Sequence, residues 1–184
     1  MIHALPIRAL SQRNTIWANL PLGFSQATIG SHGCAITALA MLLNALHPHA
    51  ERPHTPDGVN ATLRTANAYT GVWRNYVNWP SIGAVYPDLQ FNDRIDAPRR
   101  WMRPAELHEI DRRLDQELPV IAYVDAGMKE PGLQQHFVLV IGLETDTGIY
   151  QINDPWHGDM APLCPRYGST PARALCGLIL LDRS

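Results

Sequence analysis

The sequence predicts an α+β fold in one domain over residues 1–184, with helices first and an antiparallel sheet second. Three observations predict this order. An apolar run follows a glycine-bearing turn at residues 34–46, apolar residues recur at helical spacing after Pro104, and four strand-like segments follow residue 118. With 46% apolar and 17% charged residues, a chain of 184 residues is large enough and apolar enough to bury a core.

The first helix is predicted over residues 34–46. Its apolar residues between positions 35 and 43 leave no polar face, and a helix that is apolar on all sides is a buried one. A second helix is predicted to begin with Thr55 as its cap and Pro56 in its first turn, because both residue types favour these positions. Val59 and Leu63 lie four residues apart on one face of that helix.

A third helix is predicted to begin at Pro104. Leu107, Ile110 and Leu114 fall at helical spacing and form its apolar face. The residues predicted to form its solvated side are Glu109, Asp111, Arg112 and Arg113. The preceding stretch, residues 71–100, is rich in aromatic and loop residues and predicts one or two short helices and an edge strand.

The period of the apolar residues changes after residue 118. Residues 119–125, 136–143, 148–154 and 174–182 are typical of strands. E-T-D-T-G at 144–148 is a hairpin turn signal between the second and third of them. Antiparallel pairing of these strands is therefore expected.

Composition excludes several classes of function. A net charge of −2 argues against a nucleic-acid binder, and we interpret the local basic group Arg99, Arg100 and Arg103 as a solvated face. No apolar run is long enough for a membrane-spanning helix, so no membrane partner is expected. The N-terminus lacks the features of a secretory signal. We therefore expect a cytoplasmic protein as made, with release by lysis or carriage in a larger particle as open alternatives.

Cys34 stands where the glycine-bearing turn meets the first helix. Two interpretations compete: a small buried hydrophobe, or a nucleophile whose thiolate is stabilised at a helix N-terminus. The other cysteines, Cys164 and Cys176, do not form a disulfide framework with it, and we expect two ordinary thiols.

A cysteine nucleophile needs a base and a group that orients the base. Of the eight histidines, His136 opens an apolar strand at a position that can face a cleft. The hairpin that follows returns Asp154 or Asn153 to the level of His136. A structural histidine at a strand end is the alternative, and the combination of Cys34, His136 and Asp154 disfavours it.

Two further features concern the donors of an oxyanion hole and a candidate metal-binding motif. The oxyanion of an acyl-transfer reaction needs donors, for which the Cys34 backbone N–H and a glutamine side chain, Gln12 or Gln26, are candidates. His47 and His49 form an H-x-H motif near His54, but no carboxylate or thiolate cluster accompanies it, so no metal site is expected.

The chain resembles the papain-like cysteine peptidases of the bacteriocin-processing, double-glycine leader type, and most closely their stand-alone phage and bacterial branch. The matching segments lie at 11–23, 29–43, 55–63, 118–125, 136–142 and 150–159, in family order. The most specific are I-G-S-H-G-C and Y-Q-I-N-D-P-W-H-G-D. The sequence departs from the family at Asn14, where an acidic residue is common, and at His32, an unusual neighbour of the cysteine.

The resemblance implies a papain-like fold with Cys34 as nucleophile, His136 as general base and acid, Asp154 as the group that orients it, and Gln12 in the oxyanion hole. It implies hydrolysis of a peptide bond through a thioester, without a cofactor or a metal. A peptidoglycan stem peptide is the expected substrate, and a protein or leader peptide is the rival. A catalytically idle fold that binds peptides or builds a particle, and an acyltransferase, stay as alternatives.

The same aromatic stretch, extended to residue 101, is expected to wall the substrate cleft. The candidates are Trp73, Trp79 and Trp101, with packing into the core as the alternative for each.

Overall fold

The computed structural model describes residues 2–97, 101–127 and 132–184. The helices are α1 (Ile29–His32), α2 (Cys34–Leu46), α3 (Pro56–Thr65), α4 (Ile82–Val85), α5 (Pro104–Asp115), α6 (Leu163–Arg166) and α7 (Pro171–Ala174), with a 3-10 turn at Trp79–Ser81. The strands are β1 (Ile2–Ala4), β2 (Tyr69–Thr70), β3 (Tyr76–Val77), β4 (Leu89–Asp96), β5 (Val120–Asp125), β6 (Gln135–Glu144), β7 (Ile149–Asp154), β8 (Asp159–Pro162) and β9 (Leu175–Arg183).

A seven-stranded antiparallel sheet forms the centre of the fold. Six strands lie in the order β4-β9-β5-β6-β7-β8, and β1 pairs with the end of β6 that extends beyond β5. The short strands β2 and β3 form a separate hairpin. The β6–β7 hairpin matters most for the site, because its register places Asn153 opposite Leu139 and returns Asp154 toward the start of β6.

Both faces of the sheet are buried. On one face, α2 packs through Leu39 against Leu139 and its neighbours. On the other face, Ile110 of α5 packs with Val138 and Val140. Because helices cover both faces, successive residues of the central strands are apolar, without the alternation of a sheet that has one wet face.

The predicted fold class is confirmed: helices precede an antiparallel sheet and pack on it. Helices at 34–46 and from Pro56 and Pro104, and the four predicted strands, form as expected. The stretch 71–100 contains the expected short helices and edge strand, β4. The sequence did not reveal β1 and β8, which are three and four residues long.

The prediction that Arg113 lies on the solvated side of α5 is wrong. Its side chain is 1% exposed, and its guanidinium donates to the Leu181 carbonyl at 2.9 Å and to Glu109 at 2.7 Å and forms an ion pair with Asp182 at 2.7 Å. Strand β9 brings the carbonyl and the Asp182 carboxylate over α5, so the charge is paired although it is buried.

The structure describes one residue of the basic group that we interpreted as a solvated face. Arg99 and Arg100 lie outside the described residues, whereas Arg103 is exposed and pairs with Glu106 at 2.6 Å.

Within the described ranges, none of the helices has the length and apolar character needed to cross a membrane.

Candidate active site

Cys34 is the first residue of the buried helix α2, directly after a tight junction with α1. Gly33 ends α1 by donating its N–H to the Ile29 carbonyl at 2.7 Å, and a Cβ at Gly33 would lie 2.4 Å from that same oxygen. Only glycine therefore fits this junction. It leaves Cys34 half-buried at a helix N-terminus, where backbone N–H groups lack partners within the helix and the helix dipole favours a negative charge.

His136 lies at the start of β6 between Cys34 and Asp154. Its Nε2–H donates to Asp154 Oδ1 at 2.8 Å, and its side chain also hydrogen-bonds with Cys34. Since Nε2 is occupied by Asp154, Nδ1 is the nitrogen that faces the sulfur. Burial opposes the imidazolium, but the hydrogen bonds to Asp154 and Cys34 outweigh burial and raise the pKa of His136 to about 9.

Asp154 is fully buried at the end of β7 and accepts four hydrogen bonds. Oδ1 accepts from His136 and from the Trp156 backbone N–H at 3.0 Å, while Oδ2 accepts from Arg166 Nη1 at 3.0 Å and Tyr167 OH at 2.6 Å. Burial favours the neutral acid, but the hydrogen bonds from His136, Tyr167 and the Trp156 backbone outweigh burial and hold the pKa of Asp154 well below its usual range.

Asn153, the alternative to Asp154, points elsewhere. Its side-chain amide donates to the Ile7 carbonyl at 2.9 Å, because successive residues of a strand face opposite sides of the sheet. Asp154 is therefore the hairpin residue that reaches the imidazole.

Arg166 and Tyr167 are parts of the site that the sequence did not reveal. The Tyr167 ring lies 5.8 Å from the His136 ring, between centroids, while its hydroxyl donates to Asp154. Arg166 bridges Asp154 and Asp159, with contacts of 2.7 and 2.9 Å to the latter. Burial and the neighbouring Asp154 raise the pKa of Tyr167 well above its usual range, so it remains a donor. No local pattern marks these residues, because their contacts depend on the packing of α6 against β7.

Gln12 is buried and contacts α1, the short helix that precedes Cys34. Its backbone N–H donates to the Pro155 carbonyl at 2.8 Å, and its Nε2 donates to the Gly30 carbonyl at 3.0 Å. One amide hydrogen of Nε2 is thus used, and the second remains available. Gln26, the alternative that the residues left open, is exposed in a loop. Gln12 is therefore the glutamine that the structure ties both to α1 and to the turn after Asp154.

The turn at residues 155–158 and the Gln12 segment fit closely against each other. Gly158 has φ +72°, and a Cβ there would lie 2.6 Å from the Ser11 Cβ. Glycine meets both requirements, a left-handed backbone and a close approach. The turn therefore connects Asp154 to Gln12 through short, rigid contacts.

Comparison with known proteins now identifies the family. The model of the Peptidase_C39 like family matches residues 5–163. The chain belongs to this family. It is a cysteine peptidase, a hydrolase. No curated protein matches the chain in sequence.

A solved structure supports the fold of this peptidase. A protein from Bacillus anthracis described as a C39-like peptidase is similar, with a TM-score of 0.52 at 11% identity, over 100% of each chain. At this identity the likeness concerns the fold alone, which it supports as papain-like.

The other cysteines and the His47 side chain have different surroundings. Cys164 and Cys176 are buried and free, and burial raises the pKa of both thiols. His47 pairs with Asp88 at 3.1 Å. Over the described ranges, no group of three or more His, Cys, Asp and Glu residues could hold a metal ion.

An open cleft of about 650 Å³ begins at His32, two residues before Cys34. Trp73 lines it, as expected of a cleft wall. Trp79 is 4% exposed and packs with Phe137 at 5.9 Å between ring centroids, so for this candidate the alternative, packing into the core, applies. Trp101 does not line this cleft, and the Arg173 guanidinium lies 4.3 Å from the centroid of its ring.

A larger cleft of about 770 Å³ runs along residues 5–11, and none of Cys34, His136 and Asp154 lines it.

Proposed function

We propose that the peptidase cleaves a peptide bond through a thioester on Cys34, with His136 as general base and acid and Asp154 as the group that orients it. The observation that carries the proposal is the buried His136–Asp154 pair whose free nitrogen faces Cys34. An imidazolium with a pKa of about 9 is charged at neutral pH, so it stabilises a thiolate beside it.

Acylation begins from this thiolate–imidazolium pair. The Cys34 proton resides on His136 Nδ1, and the sulfur attacks the substrate carbonyl carbon to form a C–S bond. The second amide hydrogen of Gln12 and the Cys34 backbone N–H are the proposed donors to the oxyanion. Collapse of the intermediate breaks the C–N bond, and His136 gives its proton to the leaving amine.

Deacylation uses the same residues in reverse. His136, now neutral, takes a proton from water, and the resulting hydroxide attacks the thioester carbonyl. The C–S bond breaks, the acid product leaves, and the thiolate–imidazolium pair is restored. Asp154 stays ionised throughout, because four donors stabilise its charge, and it holds Nδ1 toward the sulfur.

The proposed substrate is a peptidoglycan stem peptide. The support is the resemblance to the stand-alone phage and bacterial branch, because papain-like enzymes of phage and bacteria often cut cell-wall stem peptides, together with an open cleft that His32 lines, two residues before Cys34. An unfolded protein or leader peptide is the rival substrate.

Incubation of the purified chain with isolated stem peptides and with an unstructured protein tests this proposal. New amine and carboxyl ends, read by mass spectrometry and absent with Cys34→Ala, are expected from stem peptides. Cleavage of the protein alone would overturn the substrate assignment. Amide products in the presence of an added amine would indicate acyl transfer, and the absence of any product would favour an idle, peptide-binding fold.

A further inference from the structure

Two segments in backbone contact form the cleft that His32 lines. One wall is the loop that includes Phe24 and Gln26, and the other is the tip of the β2–β3 hairpin, which includes Val72, Trp73 and Arg74. Phe24 donates its backbone N–H to the Arg74 carbonyl at 3.0 Å. A Cβ at Gly23 would lie 2.4 Å from that carbonyl, so the two walls are packed at backbone contact.

The position of the cleft relates it to the proposed nucleophile. His32 lines it, and successive Cα atoms are about 3.8 Å apart, so the Cα of Cys34 is at most about 7.6 Å from that of a lining residue. This is the span of about two residues of an extended peptide. A substrate whose carbonyl lies at Cys34 therefore reaches the cleft with a residue close to the scissile bond.

The lining of the cleft combines apolar side chains and one arginine with polar residues such as Gln26 and Asn75. Val72 is 91% exposed and Trp73 is 71% exposed, which places two large apolar side chains in water at the rim. The Arg74 guanidinium lies 4.0 Å from the centroid of the Phe24 ring and donates from Nη2 to the Asn67 side-chain oxygen, and none of the ion pairs among the described residues gives it a carboxylate partner. None of the lining residues is acidic.

We propose that this cleft is a specificity subsite of the peptidase, in which a large apolar or aromatic side chain of the substrate packs on Trp73 and a neighbouring carboxylate pairs with Arg74. The inference rests on the proposed role of Cys34 as nucleophile. A tryptophan face offers a large contact area at a small entropic cost, and an arginine without a protein carboxylate presents its donors to one from the ligand.

Covalent peptide probes measure this preference without a known substrate. We would use epoxysuccinyl peptides that carry Phe-Glu, Ala-Glu or Phe-Gln. They are made in two series, with the dipeptide attached to one side of the epoxide in the first series and to the other side in the second. The Cys34 thiolate opens the ring, a C–S bond replaces a C–O bond, and the alkoxide takes its proton from His136. The second-order rate constant kinact/KI is read from intact mass, and the labelled residue from peptide mapping.

Phe-Glu is expected to label Cys34 about tenfold faster than Ala-Glu in one of the two series, as for one additional apolar group in a pocket. It is expected to react about threefold faster than Phe-Gln, the range of an exposed ion pair. In Trp73→Ala, Phe-Glu and Ala-Glu are expected to label Cys34 at equal rates. In Arg74→Gln, Phe-Glu and Phe-Gln are expected to label it at equal rates. Trp101→Ala is the matched control, since it removes a similarly exposed tryptophan outside the cleft, and it leaves both ratios unchanged.

Iodoacetamide separates failure of this inference from failure of the proposed nucleophile. Rapid labelling of Cys34 by iodoacetamide, with equal rates for the three peptides or with ratios that survive Trp73→Ala and Arg74→Gln, would overturn the subsite and leave the nucleophile standing. Labelling of Cys34 no faster than that of Cys164 and Cys176 would overturn both.

Discussion

Replacing Asp154 with asparagine tests the electrostatic core of the site. The substitution keeps the shape of a side chain that is fully buried, and it removes the negative charge that His136 Nε2–H contacts at 2.8 Å. Burial is the largest influence on the imidazole and opposes its charge. Without the carboxylate, burial is opposed by the interaction with Cys34 alone, and we expect the pKa of His136 to fall from about 9 toward its ordinary value of about 6.5.

The expected loss of activity follows from two factors. At pH 7.5 nearly all of the imidazole is charged when its pKa is about 9, and about one tenth is charged when its pKa is about 6.5, a factor of about ten. Loss of the charge-assisted hydrogen bond that orients the ring removes about 2 kcal/mol, a factor of about 30. Together they predict a kcat/KM about 300-fold lower for Asp154→Asn.

NMR titration of ¹⁵N-labelled histidine side chains measures the pKa of His136 directly, with His136→Gln to assign the signal. Asp159→Asn is the control, because Asp159 binds the same Arg166 but does not contact the imidazole. We expect the signal to titrate near pH 9 in the wild type and in the control, and below pH 7 in Asp154→Asn. A His136 pKa that stays near 9 in Asp154→Asn would refute the reasoning.

Two further predictions concern stability and the fit of the Gln12 segment. Arg113→Ala is expected to lower the free energy of unfolding by about 3 kcal/mol, because it leaves the buried Leu181 carbonyl unpaired and removes a large, fully buried side chain. Arg112→Ala, at an exposed ion pair, is expected to cost less than about 1 kcal/mol in urea titrations, and equal losses would contradict the burial of Arg113. Gly158→Ala and Gly148→Ala both place a side chain at positive φ, each at about 1–2 kcal/mol, but only Gly158→Ala meets Ser11. Hydrolysis is therefore expected to slow in Gly158→Ala alone, and equal rates in the two variants would show that this contact does not position Gln12.

Local signals predicted the elements that hold the site. Helix α2 was visible as an apolar run after a glycine, α3 from Thr55 and Pro56, and the β6–β7 hairpin from its turn signal. Counting residues along that hairpin placed Asp154 or Asn153 near the level of His136, because the pairing of antiparallel strands is regular, and the structure shows that Asp154 contacts the imidazole. The catalytic roles of these residues stay predictions.

Features that depend on distant parts of the chain were not predictable. Arg113 looked like a surface residue of α5, because its acceptors on β9 are about 70 positions away. Tyr167 and Arg166 reach Asp154 through tertiary packing alone. Trp73 and Trp79 have similar neighbours in sequence, yet one lies at a hairpin tip and the other in the core, and only the path of the backbone distinguishes them.

Alkylation by iodoacetamide between pH 4 and 9, with the modified cysteine identified by mass spectrometry, tests the central claim most directly. The account predicts that Cys34 alone reacts rapidly near pH 6 and that His136→Ala abolishes this reactivity, because the thiolate depends on the charged imidazole. Reaction of Cys34 at the same rate and with the same pH profile as an ordinary thiol, or rapid reaction that survives His136→Ala, would contradict it.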